Sequence, residues 1–365
     1  HISEEEYAAG WRLACESKVT DCDAVIMVPD IASAYRSRMK IADLSDTAEI
    51  EIFNKTKEEI FGAGIATGTK LRRVTVELTP PSLDDAMSDL ERLSTALETE
   101  TGETIVPTHF AISRMPRALR DGDFRAECLI EERSGVQTLI DVWSAGTEHK
   151  LCGVAVDIGT TTVSATLVEL ETGKIIAKAS SGNGQIRYGA DVINRIIEAT
   201  KPGGIDKLQK AVIEETIDPI IRNMCTSAKI SPLDICRVCV AGNTTMNHLF
   251  AGIDPESIRM EPYVPVFMEI SGIYAKDVRL PVNPNAEIVI APNIGSYVGG
   301  DITAGTLASM MWNSEEMTLF IDLGTNGELV FGNSDFLMSC ACSAGPAFEG
   351  GDISCGMRAT DGAVE

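Results

Sequence analysis

The stretch "LCGVAVDIGTTTVSATLVELETGKIIAKAS", residues 151–180, decides the fold. Residues 151–156 form an apolar run leading to Asp157, and a Gly-Thr bend then leads into a second alternating run. A Glu-Thr-Gly turn at 171–173 returns the chain into a third. Alternation between short turns is the pattern of antiparallel strands. The pattern recurs at 317–333 as "MTLFIDLGTNGELVFGN", which places Asp322 165 positions after Asp157. Helical spacing occupies 190–199 and 207–224 in between. Two like units separated in this way imply an internal duplication.

Consecutive backbone N–H groups at a glycine bend point into a concavity that suits phosphate oxygens. Asp157 and Asp322 end their strands, where each supplies a carboxylate to a hydrated Mg²⁺ that keeps several waters. Gly159, Thr160, Thr161 and Thr162 in one bend, and Gly324, Thr325 and Asn326 in the other, are the candidate phosphate contacts. One such bend alone is an ordinary hairpin; two in the same strand context point to a triphosphate clamped from both sides. Asn243 and Thr244, with Thr245, follow an apolar strand and precede a helix. Capping that helix and meeting a ligand are equal readings there. No Walker A spacing and no dinucleotide fingerprint occur in the 365 residues.

Working outward, "LRRVTVEL" at 71–78 reads as a half-buried strand that Pro80 and Pro81 stop. Ser82 is expected to cap a helix with Asp84 and Asp85 in its first turn. Leu83, Met87, Leu90, Leu93 and Leu97 would form its buried stripe, and Gly102 its end. Strand-like runs at 124–132 and 137–143 complete a small α+β unit over 70–148. Residues 31–69 suit a linker or an extended crossing segment. Residues 1–30 look like the last piece of a separate unit, with Cys15 in an apolar stretch and an alternating run closing on Pro29.

The formal charge of −23, from 54 acidic and 31 basic residues, would repel a phosphate backbone, which excludes nucleic acid as a partner. No apolar run long enough for a membrane span and no secretory leader is present, so a cytoplasmic protein is expected. The ten cysteines are scattered, which favours free thiols. Cys236 and Cys239 fall in an alternating run that throws them to opposite faces, against a metal site. Cys340 and Cys342, with Cys355 nearby, are expected to pack in the core. His248, alone on a helix, reads as structural.

"DIGTTT" (157–162) and "DLGTNGE" (322–328) resemble the two phosphate loops of the actin, sugar kinase and Hsp70 ATPase superfamily. "VGGDITAGTLASM" (298–310) resembles its first connecting helix, which implies that Asp301 faces the attacking water. With "GNGQIRYGADVINRI" (182–196), "VAGNTTMNHLF" (240–250), "APNIGSYVGGDITAG" (291–305) and "CACSAGPAFEGGDISCGMRA" (340–359), the set is similar to the reductive activators of corrinoid proteins.

That resemblance implies an α/β fold: a duplicated RNase H-like ATPase domain over 149–365, incomplete at its C-terminus, preceded by the small α+β middle domain. It implies a role in returning Co(II) cobamide to Co(I) with ATP and Mg²⁺. The electron would come from a [2Fe-2S] ferredoxin domain, of which 1–30 is the remnant and Cys15 the surviving ligand. The other three cluster cysteines would precede His1, so no cluster is expected on this chain. The implied partners are a corrinoid protein, an upstream electron donor and a second copy in a homodimer. A small-molecule kinase, or an activator of the acyl-CoA dehydratase type with cysteines at a [4Fe-4S] cluster, would use the same loops.

Overall fold

The computed structural model describes residues 40–41, 47–65, 70–324 and 326–342. β1 (Lys40–Ile41) pairs antiparallel with a strand near residue 180, and α1 (Thr47–Gly62) follows. The segment expected to be extended thus carries a helix. Its i,i+4 neighbours support it: Lys55 pairs with Glu59, and Lys57 stands over the Phe53 ring.

The next unit runs β2 (Leu71–Glu77), α2 (Asp89–Thr101), β3 (Ile105–Pro107), α3 (His109–Asp121), β4 (Arg125–Arg133) and β5 (Val136–Ser144). Its four strands pair in the order β2-β4-β5-β3 over a core of Leu93, Leu97, Met115, Leu119 and Ile130. Helix α2 begins later than the sequence suggested. Ser88, not Ser82, is the N-cap: its hydroxyl accepts from Glu91 N, and the Glu91 carboxylate accepts from Ser88 N. Ser82 and Asp85 instead close a turn after the two prolines, so Leu83 is fully exposed and only Leu93 and Leu97 of the expected stripe are deeply buried. Gly102 ends the helix in the left-handed region, as expected.

The large sheet is built from β6 (Cys152–Ile158), β7 (Thr162–Glu169) and β8 (Lys174–Gly182), an antiparallel meander in the order of the chain. Helices α4 (Val192–Ala199), α5 (Gly204–Val212) and α6 (Asp218–Ala228) follow. Between α5 and α6 the helix takes one π turn, Ile213–Ile217. Pro219 in the next turn has no N–H to give the carbonyl four residues back, which accounts for the wider winding. Then come β9 (Ile235–Gly242), α7 (Thr244–Ala251), α8 (Glu256–Arg259), β10 (Ile273–Tyr274) and β11 (Glu287–Ile290).

The sheet order is β1-β8-β7-β6-β9-β11-β10, with β6, β9 and β11 mutually parallel. Its core holds Val154, Val156, Leu167, Ile220, Val240 and Phe250. Last come α9 (Gly300–Ala308) and an antiparallel meander, β12 (Thr318–Leu323), β13 (Gly327–Gly332) and β14 (Leu337–Cys342). It repeats the β6-β7-β8 arrangement, which is the duplication expected from the sequence. All six residues of β14 are exposed among the described residues, and Leu319, Ile321 and Leu323 share the open face. Cys340 and Cys342 are therefore exposed on an edge strand rather than packed in the core, contrary to expectation.

The two larger units are joined by buried polar contacts. Asp141, fully buried on β5, accepts from Arg114 Nε at 3.1 Å and from Asn283 Nδ2 at 2.8 Å. Asn285 donates to Ile140 O and Thr108 Oγ1, while Arg237 on β9 pairs with Glu131 on β4. Leu129, Ile140 and Trp143 pack against Leu151 and Cys236 beneath. Breaking a buried pair from one side strands the other partner, so Asp141→Ala is expected to cost about 3 kcal/mol of stability in denaturant unfolding. A loss well under about 1 kcal/mol, the level of an exposed pair, would contradict this reading of the junction.

Candidate active site

Parallel strands deliver their carboxyl ends to one edge of an α/β sheet, where a crevice forms. Here β6 ends at Ile158, one residue after Asp157, and β9 at Gly242, and the bends that follow, Gly159–Thr161 and Asn243, sit side by side. The Asn243 side chain caps α7, with Oδ1 accepting from Met246 N, and it also lines the crevice, with Nδ2 donating to Thr160 Oγ1 at 3.2 Å. Gly159 is required by close approach, since a Cβ there would lie 2.7 Å from the Thr162 carbonyl oxygen.

The second meander faces the first across this edge. One crevice of about 890 Å³ is lined by Asp157, Gly159, Thr160, Thr161, Thr162 and Asn243 from one side. From the other come Asp322, Gly324, Asn326, Asp301 and Glu328. Helix α9 brings Asp301 to the crevice in its first turn, and its backbone reaches the first half closely: a Cβ on Gly299 would lie 2.4 Å from Asn243 Cα.

Thr244 is not in the crevice; it is buried, and its hydroxyl donates to Gly295 O. Thr325, Cys15 and Cys355 lie outside the described residues. Cys236 is buried and Cys239 exposed, as the alternation required. His248 is buried, stacked on Phe267, with Nδ1 on Thr244 O and Nε2 accepting from Val266 N.

Glu328 is the site residue that sequence reasoning passed over. In the β12–β13 register Asp322 lies directly opposite Glu328, whereas Asp157 lies opposite Ser164 in the first hairpin. Like charges facing across a ladder repel. Burial first, then the charges of Asp301 and Asp322, push the Glu328 carboxyl up to about 7. Burial likewise lifts Asp301 to about 6, with Asp322 and Asp157 adding to it, and raises Asp157.

Four carboxylates thus share a crevice into which, among the described residues, no lysine, arginine or histidine projects. Such a site takes a cation before it takes an anion. Among the described residues no three metal-ligating side chains converge closely enough to enclose an ion unaided. That donor set fits Mg²⁺ held by one or two carboxylates, with phosphates and water completing its shell.

These raised values set a sign. Between the ordinary glutamate value of 4.5 and about 7 the folded chain binds more protons than the unfolded one, so stability falls as pH rises through that window. Asp141, lifted by burial to about 6, acts in the same direction. The melting temperature of the metal-free protein is expected to decline across this range, and Mg²⁺ to restore more at the alkaline end than at the acid end. A metal effect equal at both ends would contradict the carboxylate cluster as its cause.

Residues 63–149 match the RACo linker region, 152–314 the RACo middle region and 316–365 the C-terminal domain of RACo, the ASKHA domain. The crevice therefore lies between the middle region and the C-terminal domain. The chain is 37% identical over 219 residues to the corrinoid activation enzyme RamQ of Eubacterium limosum, a match covering 60% of this chain and 36% of that protein. It is 28% identical over 221 residues to a [Co(II) methylated amine-specific corrinoid protein] reductase of Methanosarcina barkeri, covering 58% and 40%. The solved structure of a reductive activator for a corrinoid, iron-sulfur protein matches with a TM-score of 0.65 and 39% identity, over 83% of this chain and 50% of that one. The chain thus spans half or less of the length of each of these relatives. Three consecutive matched regions, in one order and with almost no gap, place the chain in the RACo family.

Proposed function

We propose that the chain binds MgATP in this crevice and serves the ATP-dependent reductive activation of a corrinoid protein, taking inactive Co(II) cobamide to Co(I). The observation that carries the proposal is the single crevice lined by both bends and by Asp301. In this reading Asp157 and Asp322 hold Mg²⁺, which supplies charge neutralisation on the phosphates. The N–H groups of Gly159–Thr162 and Gly324–Asn326 hold phosphate oxygens. Asp301 and Glu328, neither engaged in an ion pair among the described residues, orient water and take its proton; phosphoryl transfer asks for such positioning more than for covalent chemistry.

The corrinoid partner is proposed from what the relatives are named for. The electron donor, the [2Fe-2S] cluster with Cys15 and the homodimer rest on the sequence resemblance alone. Among the described residues no helix is long and apolar enough to cross a membrane. A cytoplasmic setting suits the seven described cysteines, all free thiols.

The test mixes the full-length protein with a Co(II)-loaded corrinoid protein and a low-potential donor, with and without MgATP. Loss of the Co(II) absorption with growth of Co(I), only when MgATP is present, is the expected result. Reduction indifferent to ATP, or ATP consumed in phosphorylating a small molecule, would overturn it; the latter is the kinase outcome.

A further inference from the structure

The segment 182–196 takes no part in the chemistry above, yet three of its polar side chains are wholly enclosed. Asn183, Gln185 and Arg195 are each 0% exposed. Two of them reach the back of the first phosphate loop. Asn183 Nδ2 donates to Gly159 O at 2.9 Å, Arg195 Nη2 to Thr160 O, and Asn183 N to Thr161 O at 2.8 Å. Three consecutive carbonyls are thus tied by residues that do not line the crevice. In a planar trans peptide the carbonyl and the following N–H point in opposite directions. Holding those carbonyls back turns the next N–H groups toward the crevice, and the N–H groups of Thr160 and Thr161 donate to no acceptor among the described residues.

Among the described residues Arg195 also lacks a charged partner. Its guanidinium donates to Gly189 O at 2.9 Å and to Gln185 Oε1 at 3.2 Å, and meets the Met246 sulfur. Asp191, whose field it feels, spends one carboxylate oxygen on Asn194 N and the other on Asn194 Nδ2. A buried cation without a counter-charge is costly to keep. Burial draws its pKa down to about 10, which still leaves it charged at neutral pH.

We infer that Arg195 and Asn183 are positioning residues for the first phosphate loop, and that a polyphosphate on the crevice face of the loop is the counter-charge of the Arg195 guanidinium. The inference rests on the MgATP reading above. It explains how a crevice lined by four carboxylates holds an anion: the fixed positive charge lies behind the loop and acts through its aligned peptides.

Titration calorimetry of the full chain with MgATP, and with magnesium tripolyphosphate, which needs no adenosine contact, tests it. Arg195→Met keeps the bulk without the charge and is expected to bind both probes roughly a hundredfold more weakly, the loss of a charge-assisted hydrogen bond together with its field. Arg195→Lys restores the charge but not the fork, so affinity should return to within about tenfold of wild type. A variant altered only in packing would melt earlier without changing affinity well below its melting temperature. Arg195→Met that is folded and binds like wild type overturns the inference. Should Arg195→Met not fold, Arg195→Lys decides: a folded Lys variant that keeps the charge yet binds both probes far more than tenfold below wild type overturns the counter-charge. Wild-type protein that binds neither probe refutes the MgATP reading itself, a result distinct from either.

Discussion

Asp157→Ala is expected to lower MgATP affinity by about a hundredfold or more, the several kcal/mol that a metal-held phosphate contact supplies, while leaving the fold intact. The fold should survive because Asp157 stands at a strand end facing the crevice, and its burial raises its pKa rather than paying into an ion pair. Removing one of four mutually repelling carboxylates should even raise the melting temperature of the metal-free protein. Calorimetry with MgATP, paired with a thermal melt, reads both. Unchanged nucleotide affinity would dissolve the metal assignment, whatever the melt does.

The second large effect concerns hydrolysis. Asp301→Asn is expected to reduce the rate of ATP hydrolysis by about two orders of magnitude, the usual contribution of a positioned proton acceptor, with little change in KM. Burial and the neighbouring carboxylates hold Asp301 near 6, so the wild-type rate should rise through that pH and level off above it. The sign follows from the role: the acceptor must be ionised, and the ionised fraction grows with pH. Asp301→Asn should flatten that limb as well as lower the plateau. Glu328, near 7, is the residue that would carry whatever limb persists. A variant hydrolysing at the wild-type rate would remove Asp301 from the chemistry.

Much of this site could be read from residue order because its parts are local. The strand-bend-strand spacing around Asp157 and Asp322 needs no tertiary knowledge, whereas Asp301 came only from the resemblance of "VGGDITAGTLASM" to a connecting helix. Glu328 needed one further step: only the ladder register sets it opposite Asp322, and the text "DLGTNGE" held that fact without displaying it.

Arg195 was out of reach for a different reason. Its target, Thr160 O, is 35 positions away, and a buried arginine has the same letter as an exposed one. The start of α2 was misplaced although "SDLE" at 88–91 carries a capping box, because the apolar spacing from Leu83 onward fits a helix equally well. Helix α3 hid behind Pro116, which sits inside it. The burial expected of Cys340 and Cys342 failed because burial on an edge strand depends on what covers the sheet, and alternation does not report that.

The most direct measurement is a double-mutant cycle on MgATP affinity with Asp157→Asn, Asp322→Asn and the pair together. If the two bends close on one metal-bound nucleotide, either change alone should remove most of the metal's contribution, and the pair should bind about as weakly as the worse single variant. Losses that simply add would mean two sites acting independently, and that result would contradict the shared crevice as the seat of function.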